Sequence, residues 1–273
     1  MPKLSIVTIN FNNKCGLQST IESVLRQTYS EFEYIIIDGG SVDGSYELIQ
    51  QYYKNKRSKN TTKILYNKTI EDYPNPIPRI TYWISEPDKG IYDALNKGIE
   101  QASGEWIMFL NSGDYLSSDT VLEKIFEKKK TSRYDVLYGS VIYKKAESFI
   151  EVKPSELCSF FYKIPFCHQS SLVKTKLLKV RKFDLRYQIA SDYDFFCQMY
   201  REKKMFKKLD INIAVFIDGG VSTTNTNLMY KEFCEISSFR FKGCFRKNMY
   251  ICYRLHVLKR KLQIGFKNII QLT

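Results

Sequence analysis

Along the first 120 residues, short runs of consecutive apolar positions take turns with stretches whose apolar residues recur every three or four positions. The runs "LSIVTINF", "FEYIIIDGG", "RITYWISEP" and "EWIMFLNSGD" have the length and composition of buried strands. Between them, "GLQSTIESVLRQT" places Leu17, Ile21, Val24 and Leu25 on one helical face. "GSYELIQQYY" and "GIYDALNKGIEQA" predict two further helices. Strands apolar on both faces that alternate with helices predict an α/β fold, with a mostly parallel sheet covered by helices on either side. The polar stretch from Asn55 to Pro78 breaks the alternation and is expected to be a long loop or insertion, with a short strand at "KILYN".

The second half follows a different pattern. "YDVLYGSVIYK" predicts a strand or hairpin, and "PFCHQSSLVKTKLL" a strand-like turn running into a short helix. "IASDYDFFCQMYREK" predicts a helix with Ser191 and Asp192 at its capped start, and "INIAVFIDGGVST" a strand. From Lys231 the chain is expected to be helical and strongly basic. The pattern divides the chain into residues 1–225, with a nucleotide-binding part (1–120) and an acceptor part (121–225), and a basic helical segment, 226–273.

Polar residues fall at a recurring place in this pattern. Asn10, Asp38, the Glu86–Asp88 segment and Asp114 each follow a strand at its carboxyl end. Open α/β sheets bind ligands outside those ends. One such acid is accounted for by a turn or a helix cap; four in register point to a binding site.

Charge adds a second feature. The net charge of +13 is uneven: residues 1–120 carry 12 Lys/Arg against 15 Asp/Glu, while residues 121–273 carry 30 against 14. The basic half suits a polyanion, and in residues 231–273 ten basic residues interleave with aromatic ones, a composition that suits an anionic membrane surface. Nucleic acid is the rival partner on charge alone, but it leaves the strand-end acids without a role, so none is expected. Seven cysteines without a Cys-x-x-Cys pair, and two histidines, argue against structural zinc and fit free thiols in a reducing cytoplasm. The first strand leads into "NFNNKCG" rather than a Gly-x-Gly-x-x-Gly turn, which argues against a dinucleotide-dependent dehydrogenase. No apolar run is long enough for a spanning helix, and no secretion signal precedes the first strand.

The segments "VTINFN", "IIIDGGSVDGS", "SEPDKGIYDALNKGI", "FLNSGD" and "ASDYDFF" occur in an order that resembles the family 2 glycosyltransferases of the GT-A fold, bacterial polysaccharide-biosynthesis enzymes among them. The likeness covers roughly residues 3–222 and implies a Rossmann-like, mixed but mostly parallel sheet. It also implies an inverting transfer from a nucleotide-diphosphate sugar, a UDP-sugar by default, to a hydroxyl of a glycan or lipid-linked glycan. The place of action it implies is the cytoplasm or the cytoplasmic face of a membrane. By the same likeness Thr8, Asn10, Asp38, Asp43, Asp88, Lys89, Gly90, Asp93 and Asn111 bind the donor, with Asp38 reading the nucleotide base. Asp192 matches the general base, with Asp194 as the alternative. A Mn²⁺ or Mg²⁺ ion is expected on Asp114, with His168 as a further ligand. The family's Asp-x-Asp pattern is here reduced to Asn111-Ser112-Gly113-Asp114, which thins the metal site to one carboxylate and leaves a non-catalytic sugar-nucleotide-binding protein as the alternative function.

Overall fold

The computed structural model describes residues 2–54, 80–127 and 131–241. The stretch 55–78, with its expected strand, and residues 242–273 of the basic segment lie outside them. The first half is built from β1 (Leu4–Asn10), α1 (Lys14–Leu25), β2 (Phe32–Asp38), α2 (Ser45–Lys54), β3 (Ile80–Ser85), α3 (Ile91–Gln101) and β4 (Trp106–Phe109). The second half follows with β5 (Tyr115–Leu116), α4 (Val121–Phe126), β6 (Val136–Lys145), β7 (Ser148–Val152), β8 (Ser171–Lys174), α5 (Thr175–Val180), α6 (Ser191–Arg201), β9 (Phe206–Ile217), α7 (Val221–Thr224) and α8 (Thr226–Arg240).

One sheet runs through the molecule in the order β3-β2-β1-β4-β8-β6-β9-β5, with β7 paired to β6. The strands β3, β2, β1 and β4 are parallel, as the alternation with helices requires. β8 joins β4 antiparallel and β6 joins β8 antiparallel, so the sheet is mixed. β1 shows why its run is apolar throughout. Leu4 and Ile6 point to one core cluster with α1, α2 and α4, while Val7 and Ile9 point to the other with α3, α5, α6 and α8. Two close approaches demand glycine: a Cβ on Gly98 would meet Val7 Cγ1 at 2.3 Å, and one on Gly104 would meet the Ser5 nitrogen at 2.6 Å.

The structure alters one reading of the chain's end. α8 is not an appendage. Its Ile236 is wholly buried, and Phe233 packs on the cluster that contains Tyr193 and Phe196 of α6. Arg240 donates to both carboxylate oxygens of Asp194 (2.7 Å each) and to Gln198 Oε1 (2.9 Å). Asp194 is 2% exposed and Arg240 9%. About two turns earlier in α8, the Glu232 carboxylate accepts the backbone N–H groups of Gln188, Ile189 and Ala190, at 2.8–2.9 Å. Those donors precede α6, where Ala190 holds the cap position without a side chain that could cap. A negative group from α8 therefore satisfies the positive start of α6. The expected cap from Ser191 or Asp192 is not formed.

A buried charge loses more when its partner is removed than when both are replaced. Arg240→Leu is expected to lower the urea unfolding free energy by roughly 3 kcal/mol or more. The Asp194→Leu/Arg240→Leu double variant is expected to recover most of that loss. Equal losses in the two proteins would show that the pair contributes packing alone.

Candidate functional site

The parallel strands end along one edge, and the loops that leave it are laced together by polar side chains. Asp38, at the end of β2, is the centre of the lacing. Its Oδ1 accepts from Asn10 Nδ2 (2.7 Å) and Ser41 Oγ (2.6 Å), and its Oδ2 from the Ser41 N–H (3.0 Å) and Ser85 Oγ (2.6 Å). Four donors fill the carboxylate, and the residue is wholly buried. Asp38 thus joins the ends of β1, β2 and β3, and no oxygen is left to accept from a base. Thr8 lies still deeper: it is buried in β1 with its hydroxyl against Tyr34 Oη, 3.1 Å away, and does not reach the edge.

What does face outward at this edge is Phe11, 65% exposed, beside Asp88. A Cβ on Gly39 would stand 2.5 Å from Asp88 Oδ2 and 3.2 Å from the Phe11 ring, so the glycine lets the two side chains converge. Asp43 caps α2 by accepting from the Ser45 N–H (3.1 Å) and also accepts from the Lys14 N–H (2.7 Å). Asp93 turns back to the Lys89 N–H (3.0 Å), closing the first turn of α3. Gly90 precedes that turn with φ +112°, where other residues are strained. The Lys89 side chain is exposed, whereas Lys97 is committed to Glu86 (2.8 Å) and the Pro87 carbonyl (3.0 Å).

The turn Asn111-Ser112-Gly113-Asp114 ends β4 where Gly113 adopts φ +104°. Thr20 of α1 clamps it, donating to the Asp114 carbonyl (2.7 Å) and accepting from the Gly113 N–H (3.0 Å). Asn13 Nδ2 donates to the Ser112 carbonyl (3.1 Å). Asp114 itself is 5% exposed, and its Oδ1 accepts from the Ile217 N–H at 2.9 Å. Burial lifts its carboxyl to about 7, only partly countered by the hydrogen bonds from Ile217 and Gln169.

The turn opens into a cleft of 560 Å³ between α3, α6 and α8 on one side and β6, β7 and β9 on the other. Asn111, His168, Gln169, Tyr92 and Asp192 form its polar end. Asp192 Oδ1 is occupied by the Tyr92 hydroxyl (2.9 Å) and the Tyr193 N–H (2.8 Å). Its Oδ2 accepts no hydrogen bond from the described residues, the nearest group being His168 Nδ1 at 3.8 Å. Burial raises the Tyr92 hydroxyl well above its ordinary range, helped by the charge of Asp192, so the phenol keeps its proton. Burial lowers the His168 imidazole despite the nearby Asp192 charge, so the ring is neutral near pH 7. The ring lies 5.0 Å from the Phe109 ring centre and against Phe183 and Phe196. Asp194, the alternative base, is spent on Arg240. Cys167, beside His168, is pushed by burial to about 12 and remains a thiol.

Among the described residues no three His, Cys, Asp or Glu side chains gather as a ligand group. His168 Nδ1 stands 3.8 Å from Asp192 Oδ2, and its Nε2 is buried without a partner among the described residues. Two features nevertheless fit a cation: the desolvated Asp114 carboxylate, and Asn111 Oδ1, which is buried without a partner among the described residues. They suit an ion that arrives with a diphosphate and fills its shell from phosphate oxygens and water.

Three participants were not legible as site residues: Phe11, the Thr20 clamp and Glu232. Glu232 alone left a trace, as one of two acids among ten basic residues in 231–273.

The family model for glycosyl transferase family 2 matches residues 5–209. A "PGL/p-HBAD biosynthesis glycosyltransferase" of Mycobacterium bovis is 26% identical over 238 residues, covering 86% of this chain and 83% of its own. An uncharacterized glycosyltransferase of Mycobacterium tuberculosis is 32% identical over 202 residues, covering 71% and 67%. Among solved structures, S. aureus TarS 1-349 in complex with UDP-GlcNAc superposes with a TM-score of 0.65 at 17% identity, over 87% of this chain and 66% of that one. A mannosyltransferase from Pyrobaculum calidifontis in complex with GDP-Man and Mn²⁺ gives 0.62 at 12% identity, over 91% and 68%. The mixed sheet flanked by helices is the GT-A fold that the motifs implied, and the chain belongs to glycosyl transferase family 2.

Proposed function

We propose that this glycosyltransferase moves a sugar from a UDP-sugar to the hydroxyl of a glycan or lipid-linked acceptor, with inversion, using Asp192 as the general base. The observation that carries the reading is the asymmetry of that carboxylate. Oδ1 is fixed by Tyr92 and Tyr193, while Oδ2, at the wall of the cleft, has no donor among the described residues. A fixed carboxylate with one open oxygen can take the acceptor's proton as its oxygen attacks the anomeric carbon. A single displacement of this kind inverts that carbon and expels the nucleoside diphosphate. Neutral His168 borders Asp192 without pairing its charge.

The donor is proposed to lie along the strand edge, its base on the exposed Phe11 ring beside Asp88 and its diphosphate at the Asn111–Asp114 turn. Asp38, Asp43 and Asp93 serve it indirectly, by fixing the loops. A Mn²⁺ or Mg²⁺ bound at Asp114 and Asn111 would supply Lewis-acid stabilisation of the leaving diphosphate. The described residues contain no helix long and apolar enough to cross a membrane. We place the reaction in the cytoplasm or at the cytoplasmic face of a membrane, within cell-surface polysaccharide assembly.

Asp192→Asn keeps the shape and removes the base. Its kcat for release of nucleoside diphosphate from UDP-sugars is expected to fall by about 10² to 10⁴ with little change in donor KM. Unchanged kcat would remove Asp192 from the mechanism.

Asp114 links the site to pH. Its folded carboxyl titrates at about 7 against an ordinary value of 3.8. A raised carboxyl favours the fold while protonated, and that contribution is lost as pH rises through 7. Without ligand, Asp114→Asn is therefore expected to gain stability over wild type between pH 5 and pH 7, by on the order of 1 kcal/mol per pH unit crossed, with no further change above pH 7. Thermal unfolding across that range checks it, and parallel curves would contradict it. With a UDP-sugar and Mn²⁺ the order reverses: only wild type gains thermal stability that EDTA removes.

A further inference from the structure

His168 stands in the turn that precedes β8 and lines the inner end of the cleft. Its imidazole is buried against the Phe109, Phe183 and Phe196 rings, at 5.0, 5.6 and 5.9 Å between ring centres. Nε2 is buried without a partner among the described residues, and Nδ1 lies 3.8 Å from Asp192 Oδ2. That oxygen is the one the proposed transfer uses, because the Tyr92 hydroxyl and the Tyr193 N–H occupy Oδ1.

Burial keeps the ring neutral near pH 7. A neutral imidazole carries its one N–H on either nitrogen, and the surroundings decide which. Nε2 lacks a partner in both forms, so the choice falls to the Nδ1 side. A proton on Nε2 would turn the Nδ1 lone pair toward the Asp192 carboxylate, which is repulsive. A proton on Nδ1 presents an N–H dipole to the same negative oxygen, which is attractive. At 3.8 Å the contact is longer than a hydrogen bond, and an approach of roughly 1 Å completes it. A carboxylate oxygen has two lone pairs, so Oδ2 can accept from Nδ1–H and still face the acceptor hydroxyl.

We propose that His168 is held as its Nδ1–H tautomer and is a positioning residue for the base, its N–H steadying Asp192 Oδ2 while that oxygen takes the proton of the acceptor hydroxyl. The proton passes from the acceptor to Oδ2, and His168 neither gains nor loses one. The proposal rests on Asp192 being the base, and it gives His168 a role different from the metal ligand that the family likeness implied.

The chain has two histidines, His168 and His256, so nitrogen NMR of the full-length protein reads both rings, with His168→Phe assigning the signals. A protonated Nδ1 and a bare Nε2 on His168 are expected at neutral pH; the opposite pattern overturns the proposal. Where the Phe variant fails to fold, His256→Gln leaves a single imidazole to read. Phe suits the ring cluster but has no donor, whereas an Asn amide reaches about where Nδ1–H stands. The kcat for sugar transfer is expected to fall about tenfold in His168→Phe, with donor KM and the Mn²⁺ concentration dependence unchanged. His168→Asn is expected to recover most of that loss. In Asp192→Asn, adding His168→Phe is expected to cost nothing further, because an N–H that acts through the carboxylate has nothing left to hold. Equal kcat in the Phe and Asn variants, a further tenfold loss in the Asp192→Asn background, or loss of Mn²⁺ activation in His168→Phe overturns the proposal. Failure of the base reading shows separately, as full transfer by Asp192→Asn, whereas the tautomer is read without turnover.

Discussion

The geometry of the site depends on one buried carboxylate. Asp38 sits at the end of β2 without solvent, and a charge there is tolerable only when its oxygens are fully hydrogen-bonded. Asn10, Ser41 and Ser85 supply those bonds from the ends of β1, of the loop after β2 and of β3. Satisfying the carboxylate therefore fixes three strand ends relative to one another. The loops that carry Phe11 and Asp88 inherit their positions from it. Asp38, which the family likeness casts as a reader of the base, is in this structure the tie between the loops that carry Phe11 and Asp88.

The same physics recurs on the other side of the sheet. The segment leading into α6 brings three backbone N–H groups that need acceptors, and α6 carries a second buried acid two residues after Asp192. α8 answers both, with Glu232 at the start of α6 and Arg240 on Asp194. The Ile189 carbonyl in the capped segment accepts from Tyr92 at 2.5 Å, and Tyr92 also reaches Asp192. The helix that follows β9 thus orients the proposed base through backbone and phenol, without contact of its own with the reacting oxygen.

These two ties leave an uneven cleft between them. Its inner end collects a carboxylate with one oxygen free of donors among the described residues and a neutral imidazole, and it borders Asn111 of the turn that carries the desolvated Asp114. Its outer end is mainly aromatic and aliphatic, with Lys145, Asp218, Thr223 and Thr226 among those side chains. The contrast follows from which strands meet there. The parallel strands deliver polar loops at their carboxyl ends, whereas the β6–β7 hairpin and β9 present alternate side chains along their lengths, and the apolar set faces inward.

The sequence by itself determined the alternation of strands and helices, the strand ends at which acids cluster, and the helix that carries Asp192. Each of these is a local signal, a period of two or about four closed by turn residues such as Ser103-Gly104. The two-residue β5 and the exposed β7 were not legible, because the first is too short to show a period and the second buries none of its side chains. Nor could the sequence rank its acids. Asp38, Asp114, Asp192 and Asp194 differ in function because of the donors around them, and those donors are distant in sequence: Arg240 lies 46 residues from Asp194, and Ile217 lies 103 from Asp114. How many hydrogen bonds a carboxylate receives, and how much water reaches it, are properties of the packed chain. Only the tertiary structure could therefore decide which acid is a tie, which is a salt bridge and which keeps an oxygen without a donor among the described residues.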